Sequence, residues 1–485
     1  MDQRPERGLG YYILIIFLVE LVVETATLSV SMVYPALPLM AGALHTTDIA
    51  WIITIVLLVS GALFPLGGKL ADRFGERRML TVLVGGFAAG SLICALSDSF
   101  TLTLVGRALQ AGAILLSPIA WALFRSILPS RLVPIAVSVV ATGFGVGIVA
   151  GPLLSGALTD HFGYHSLFWF MFGYAILAAA VSIPLLPATP PRFGGSLDLA
   201  GAALLVVAIG AALLALSEGG IWGWTSARTV GSAACFVVAT AAFIAVELRS
   251  REPLMDLGLL RGRAFSITML VVIVGGFPNA VFPFLVPQML ESPHAPGATY
   301  AFGLSLVQVG LVTMPNGLAA MAAGPLGGWL SRRNSPRLVM LLGLLFTALS
   351  MLLLALFHTH LYEYALASGV LGVGFGFFFA ATSNLVMAAT PRSSVGVASG
   401  MAFTAQGVTN AVSTTVAATV LSHHVLSVSA GGVMFTERGY ELGFWIAGAC
   451  SLAAAVVAFA MRHGRRPVGQ DTAVEVGPTP AEQPA

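Results

Sequence analysis

Charge is scarce along this chain. Only 9% of its 485 residues are Asp, Glu, Lys or Arg, while 57% are apolar; a soluble domain carries about a quarter charged residues. An ordinary soluble globular domain is thereby excluded. Cysteine is nearly absent, and Cys94, Cys235 and Cys450 all fall inside apolar runs, so neither a disulfide nor a cysteine metal site is expected. No GxxxxGK loop occurs, which removes ATP as the energy source within this chain. A formal net charge of +2 says little about partners; neither nucleic acid nor nucleotide is expected to bind. The opening MDQRPERGLG runs straight into a full-length apolar stretch, too long for the core of a cleavable signal.

What the chain has instead is a succession of apolar runs of about 20 residues, each able to cross ~30 Å of hydrocarbon. Fourteen spans are expected, at about 11–34, 50–68, 79–97, 101–124, 133–158, 166–187, 199–218, 229–248, 265–290, 303–328, 338–357, 364–389, 395–421 and 440–462. With the N-terminus inside, all but three of the 23 Lys and Arg fall on the inner side, as the positive-inside rule requires. Arg228 and Arg438 lie outside and Arg107 lies within a span. The expected protein is an all-α polytopic membrane protein of the cell membrane, with both termini cytoplasmic and the lipid bilayer as its solvent.

One segment is written twice. PLGGKL begins at Pro65 and PLGGWL at Pro325, both expected in cytoplasmic loops after spans 2 and 10; Arg332 stands in the second copy where the first has Asp72. Gly112 with Gly374, and Pro129 with Pro391, repeat at nearly the same offset. Internal repeats are the usual construction of secondary transporters, with the site between the halves near the midplane. The organisation read from this is a six-helix bundle (1–190), two inserted helices (191–250), a second six-helix bundle (251–463) and a disordered cytoplasmic tail (464–485).

The segment GGKLADRFGERRML resembles the signature between helices 2 and 3 of the major facilitator superfamily, with Gly68, Leu70, Asp72, Arg73, Gly75, Arg77 and Arg78 in its positions. The resemblance implies a major facilitator fold and a latch, in which Asp72 caps the helix that begins near Ser393 and Ser394 in the outward-open state. GRALQAGAILLSP in span 4 is similar to the RxxQG motif of the family through Arg107, Gln110 and Gly112, with Ala111 in place of a glycine. GFGVGIVAGPLLSG in span 5 is similar to the antiporter motif: Gly143, Gly147, Gly151, Pro152 and Gly156 match, and Ser155 replaces a glycine. Gly143, Gly147, Gly151 and Ser155 form one small-residue stripe, which serves close helix packing in any case. The segments DLAGAALLVVAIGAALLALSEGGIWGW and ELRSREPLMDLGLL resemble the two extra helices of the fourteen-helix EmrB/QacA-type drug:proton antiporters. That branch usually carries an Asp nine residues before the Pro of its ALP segment; counting back from Pro38, this chain has Ser29.

Only Glu20, Glu24 and Arg107 lie deep in spans. A charge at the bilayer centre costs about 3 kcal/mol on insertion scales, so such residues are candidates for function. Glu20 and Glu24 share a helix face, which Thr27, Ser31 and Tyr34 continue. Arg107, about two turns from the outer end of span 4, is expected at the depth of Glu24. Two carboxylates one turn apart repel when both are ionised, and burial penalises their charge. One is expected to hold a proton when dry and release it when wetted, with Arg107 as modulator. The bland reading is a structural Glu24–Arg107 pair that orients two helices.

The C-terminal half offers neutral polar groups, Asn279, Gln288, Gln308, Asn316 and Asn384, which line a substrate cavity or make helix-packing hydrogen bonds. Thr27, Ser31, Tyr34 and Gln110 join them as cavity candidates. Eight of the nine histidines, His358 among them, map to the outer side. An outer proton sensor or metal site would draw on them, but no ligand spacing recurs, so they are read as solvated loop residues with no metal site. No cofactor is expected; the proton gradient supplies the energy. The function expected is drug:proton antiport by alternating access, not enzymatic catalysis. A small cationic or neutral amphipathic drug, dye or antibiotic is exchanged for protons. The alternatives are an exporter of an endogenous lipid, siderophore or self-made metabolite, and a non-transporting sensor with the same fold.

Overall fold

The computed structural model describes residues 8–465, apart from 47–48, 50, 130, 190–198, 251–256, 293–299, 391–394 and 430–431, together with residue 467. Among these, ten helices are long and apolar enough to cross a membrane, from Leu9–Leu37 to Glu437–Ala460. Helices Trp51–Phe74, Val133–Phe162, Leu199–Trp222 and Val395–Ser422 occupy the four other expected positions. An apolar run of this length has no better option than helix, because every backbone group must find its partner within the segment.

Three spans are interrupted. Span 1 is helix Leu9–Ser31 continued by Val33–Ala43. Span 4 is Phe100–Gln110 and Leu116–Ile127, joined by the 3₁₀ turn Ala111–Leu115. Span 9 breaks at Gly276 into Arg263–Gly275 and Phe277–Glu291, the second part carrying Pro283 and Pro287 in its interior. A 3₁₀ stretch inside a helix and prolines in a span both mark places where the helix can bend.

The repeated PLGG segments are not loops. Helix Trp51–Phe74 runs through the first copy and helix Leu306–Arg333 through the second. After the first copy the whole reversal rests on Gly75, at φ 85°, a left-handed conformation that glycine alone adopts freely. A Cβ on Gly75 would run into the Thr189 carbonyl, and Thr189 Oγ1 accepts the Arg77 N–H at 3.1 Å. The two arginine-bearing ends thus close on backbone geometry rather than on a long hinge. The antiparallel pair Val425–Ser429 and Gly432–Phe435, just before the last span, is a strand hairpin in a chain expected to be wholly helical. The tail expected to be disordered falls almost entirely outside the described residues.

The N-terminal core is one cluster running from Ile15 to Leu186, and it takes in Phe379 and Phe403 from the C-terminal half. The C-terminal core is divided into separate clusters around Leu285, Leu344 and Met401. Two pairs of helices carry the seam between halves: Val133–Phe162 on Leu306–Arg333, and Trp51–Phe74 on Val395–Ser422. Helix Leu199–Trp222 packs against both members of the second pair, so it covers one edge of the seam.

Candidate functional site

The polar edge of span 1 meets the glycine stripe of span 5. A Cβ on Gly143 would overlap the Glu20 carboxylate and lie 2.9 Å from Glu24 Oε2. One on Gly147 would lie 2.8 Å from Glu24 Oε1 and would overlap Thr27; one on Gly151 would overlap Ser31. The four-residue period on each helix places the three glycines opposite the four polar residues in register. Glycine is thus what leaves room for two carboxylates at a helix–helix contact. Ser155, one turn further, is fully buried, and Ser31 Oγ donates back to the Thr27 carbonyl at 2.9 Å. Thr27 and Ser31 are therefore packed against span 5, while Tyr34 at the end of the same edge is 43% exposed.

Among the described residues, neither Glu20 oxygen nor Glu24 Oε1 has a hydrogen-bond partner, although all three are buried. Glu24 as a whole is 8% exposed. The phenol of Tyr174 in span 6 donates to the Leu21 carbonyl at 3.0 Å and lies within electrostatic range of both carboxylates. Sequence reading missed Tyr174, because one tyrosine among apolar residues carries no pattern.

Arg107 does not pair with Glu24. Its guanidinium is fully buried and donates to the Ser29 hydroxyl at 2.9 Å, the Ser29 carbonyl at 3.1 Å, the Ile52 carbonyl at 3.2 Å and Gln110 Oε1 at 2.6 Å. Ser29 lies five residues beyond Glu24, about 7.5 Å along the helix and about 140° round it. Spans 4 and 5 thus engage different faces of span 1. Gln110 in turn donates to Ser91 Oγ at 2.7 Å, so its side chain belongs to this buried network. Arg107 has gathered carbonyl and hydroxyl oxygens in place of a carboxylate, and its Nη2 has no partner among the described residues.

Span 5 presses on the opposite half with its other face. Gly145 approaches Gly317 and Met321, Gly317 approaches Val149, and Gly156 faces Val307. The helix that covers the two glutamates is therefore also a seam helix. A second group of cross-half contacts is aromatic. Trp121 of span 4 lies against Phe379 and Phe403, with ring centroids 6.2 and 5.0 Å away, and its buried indole N–H has no partner among the described residues. No motif marked this cluster in the sequence, since aromatic residues at such spacing read as plain core.

The neutral polar candidates separate. Asn384, 1% exposed, sits about one turn from Phe379 with its amide bonded to the Ala380 carbonyl at 2.9 Å and its Oδ1 without a partner among the described residues. Asn316 is buried at the seam helix and Asn279 starts the second half of span 9; their Oδ1 atoms also lack described partners. Gln288 is bonded to the Phe284 carbonyl at 2.8 Å. Gln308 is a helix cap: its Oε1 accepts the Ser305 N–H at 2.9 Å, and Ser305 Oγ accepts the Gln308 N–H at 3.4 Å. That reciprocal box commits Gln308 to the helix start. The side chains of Gly68 and Asp72, and the segment 391–394 with Ser393 and Ser394, lie outside the described residues. Arg73 lies against the Phe74 ring, while Arg77 and Arg78 open the next helix. His358, expected to be solvated, is 4% exposed.

The Major Facilitator Superfamily model matches residues 21–278 and again 264–483 of this chain. The tetracenomycin C resistance and export protein of Streptomyces glaucescens is 29% identical over 401 residues, covering 80% of this chain and 72% of that protein. The multidrug efflux pump LfrA of Mycolicibacterium smegmatis is 29% identical over 406 residues, covering 80% and 76%. Among solved structures, the proton:xylose symporter XylE aligns with a TM-score of 0.65 at 14% identity over 93% of this chain and 96% of its own. The human organic anion transporter MFSD10 aligns with a TM-score of 0.62 at 17% identity, over 94% and 100%. At these identities the two structures speak for the fold.

Proposed function

Because the chain belongs to the Major Facilitator Superfamily and is a multi-pass membrane transporter, we propose that it is a cell-membrane drug:proton antiporter. On this reading, with both termini cytoplasmic, it moves a cationic or neutral amphipathic drug, dye or antibiotic outward and protons inward. The observation that carries the reading is the pair of buried carboxylates, Glu20 and Glu24, without described partners and laid against glycines of a seam helix. An ionised carboxylate in so dry a contact is costly, so the neutral acid fits it. When the halves move and the seam on span 5 opens, water reaches the edge and the acid can ionise; a cationic substrate arriving then favours the ionised form. Protonation from outside reverses both steps. This couples the proton to the same helix that must slide for alternating access. Multidrug efflux and antibiotic export are what the printed names of the two relatives attribute to them, and that supports the substrate class.

Arg107 acts here as a positioning residue. It ties span 4 to the Ser29 face of span 1 and so holds the face that carries the glutamates toward span 5. Trp121, Phe379, Phe403 and Asn384 supply an aromatic surface and an unspent amide oxygen between the halves, suited to a planar amphipathic substrate. Asp72 is the latch on this reading, which rests on its match to the family signature and on its replacement by Arg332 in the second copy.

The test is substrate-triggered proton release from inside-out vesicles across a panel of amphipathic compounds. Glu20→Gln and Glu24→Gln keep shape and hydrogen bonding but cannot titrate. At least one should still bind substrate while losing pH-dependent efflux. A double variant that still drives efflux uphill from a pH gradient would show that the proton rides elsewhere.

A further inference from the structure

Within the C-terminal half and away from the glutamates, His358, Glu437 and Glu441 converge. One ligand atom from each lies within 4.8 Å of the others. His358 follows the end of helix Pro336–Leu356, and both glutamates stand in the first turns of helix Glu437–Ala460. The cluster occupies the end of the bundle opposite Arg332, Arg333 and Arg337, which is the outer end on the orientation read from the charges.

The histidine is the informative member. Its backbone carbonyl accepts the Tyr364 hydroxyl at 3.1 Å, and its Nδ1 lies 2.9 Å from the Leu354 carbonyl. A carbonyl can only accept, so Nδ1 carries a proton. Its Nε2 lies 2.6 Å from Glu437 Oε1, which as a carboxylate also accepts. Both ring nitrogens therefore face acceptors. A neutral ring with its proton on Nδ1 would set a lone pair against a carboxylate, so a cation must stand at Nε2, either a second proton or a metal ion. Glu441, one turn along the same helix face as Glu437, brings a third donor to the same point, which a metal ion uses and a single proton does not.

We propose that His358, Glu437 and Glu441 form a divalent-metal site of the zinc class. One imidazole nitrogen with two carboxylates is a donor set that suits Zn²⁺ and its neighbours rather than Mg²⁺ or Ca²⁺, which take oxygen ligands. Nδ1–H on a backbone carbonyl is the outer-shell contact that orients metal-bound histidines. A tetrahedral zinc with ligands at about 2.0–2.2 Å spaces them about 3.3 Å apart, so the His358–Glu437 contact at 2.6 Å opens by about 0.7 Å while the wider pairs close by about 1.5 Å at most. Bound metal joins the end of span 11 to the start of span 14 and fixes their relative register at the outer face.

The test uses the full-length protein with any affinity tag removed, stripped with a chelator and titrated calorimetrically with ZnCl₂, MgCl₂ and CaCl₂ at neutral pH. Zinc should occupy one saturable site per chain with Kd of about 1 μM or tighter and raise the melting temperature; magnesium and calcium should do neither. Glu441→Gln, a partly exposed position that tolerates the change, should weaken zinc by about 100-fold, and His358→Gln should abolish the site. Absence of saturable zinc binding, or equal affinity in wild type and Glu441→Gln, overturns the proposal and leaves a hydrogen bond between His358 and Glu437. Binding is read without transport, so this outcome does not bear on the antiport reading.

Discussion

The contact between the glycine stripe and the glutamate edge can be tested by filling one glycine. In Gly143→Ala the new methyl falls on the Glu20 carboxylate and within 2.9 Å of Glu24 Oε2. Glu20 cannot simply swing away, because both its oxygens are already buried. Overpacking of this kind costs about 1–3 kcal/mol, offset by about 0.5–1 kcal/mol of helix propensity gained on replacing glycine. With about 2 cal/mol/K of unfolding entropy per residue, a chain of this length loses about 1 °C of melting temperature per kcal/mol. The single variant should melt about 1–2 °C lower. The decisive comparison is the same substitution in a Glu20→Ala background, where the obstacle is gone. There Gly143→Ala should be neutral or stabilising, so the cycle gives a coupling of about 1–3 kcal/mol. Gly407, whose Cβ would meet nothing within 4 Å, serves as the control position. Thermal melting of the four cycle members in one detergent is sufficient. An identical shift from Gly143→Ala with and without Glu20 would refute the packing on which the proton site rests.

Gly75→Ala should destabilise by about 1–2 kcal/mol, since φ 85° is left-handed and the new methyl also strikes the Thr189 carbonyl; melting unchanged from wild type would contradict the single-residue reversal. Ser29→Asp should raise the melting temperature by giving the buried Arg107 a carboxylate, and the same change in an Arg107→Gln background should lower it. Gln308→Ala should cost at most about 1 kcal/mol through its cap while leaving substrate affinity unchanged, whereas Asn384→Ala should alter affinity across the compound panel in a direct binding assay. Asp72→Asn should impair efflux with expression intact, and wild-type efflux would remove the latch.

Depth was legible in this chain and direction was not. Apolar runs near 20 residues, the inner arginines and the 1.5 Å rise per residue place Glu20, Glu24 and Arg107 inside the bilayer from sequence alone. The four-residue period shows that Gly143, Gly147 and Gly151 share a face, and that Glu20, Glu24, Thr27 and Ser31 share another. Nothing local says that those two faces meet. Which azimuth a helix turns to a neighbour depends on every other helix packed around it, and that sum decided that span 5 covers the glutamates while span 4 takes Ser29. For the same reason Arg107, matched to Glu24 by depth, is bonded elsewhere.

Short-range geometry divided in the same way. The PLGG segments read as cytoplasmic loops from their place at the ends of two spans, yet they continue helices, since proline and glycine are tolerated where neighbouring helices satisfy the backbone. His358 read as a solvated loop residue because its partners are 79 and 83 residues away in sequence, beyond any motif spacing. The sequence by itself determined the solvent, the apolar runs that become helices and the residues too costly to bury without purpose, since each follows from transfer energies of single side chains. Only the tertiary structure decided which of those residues touch, because contact between helices is a property of their mutual rotation, and no residue carries that alone.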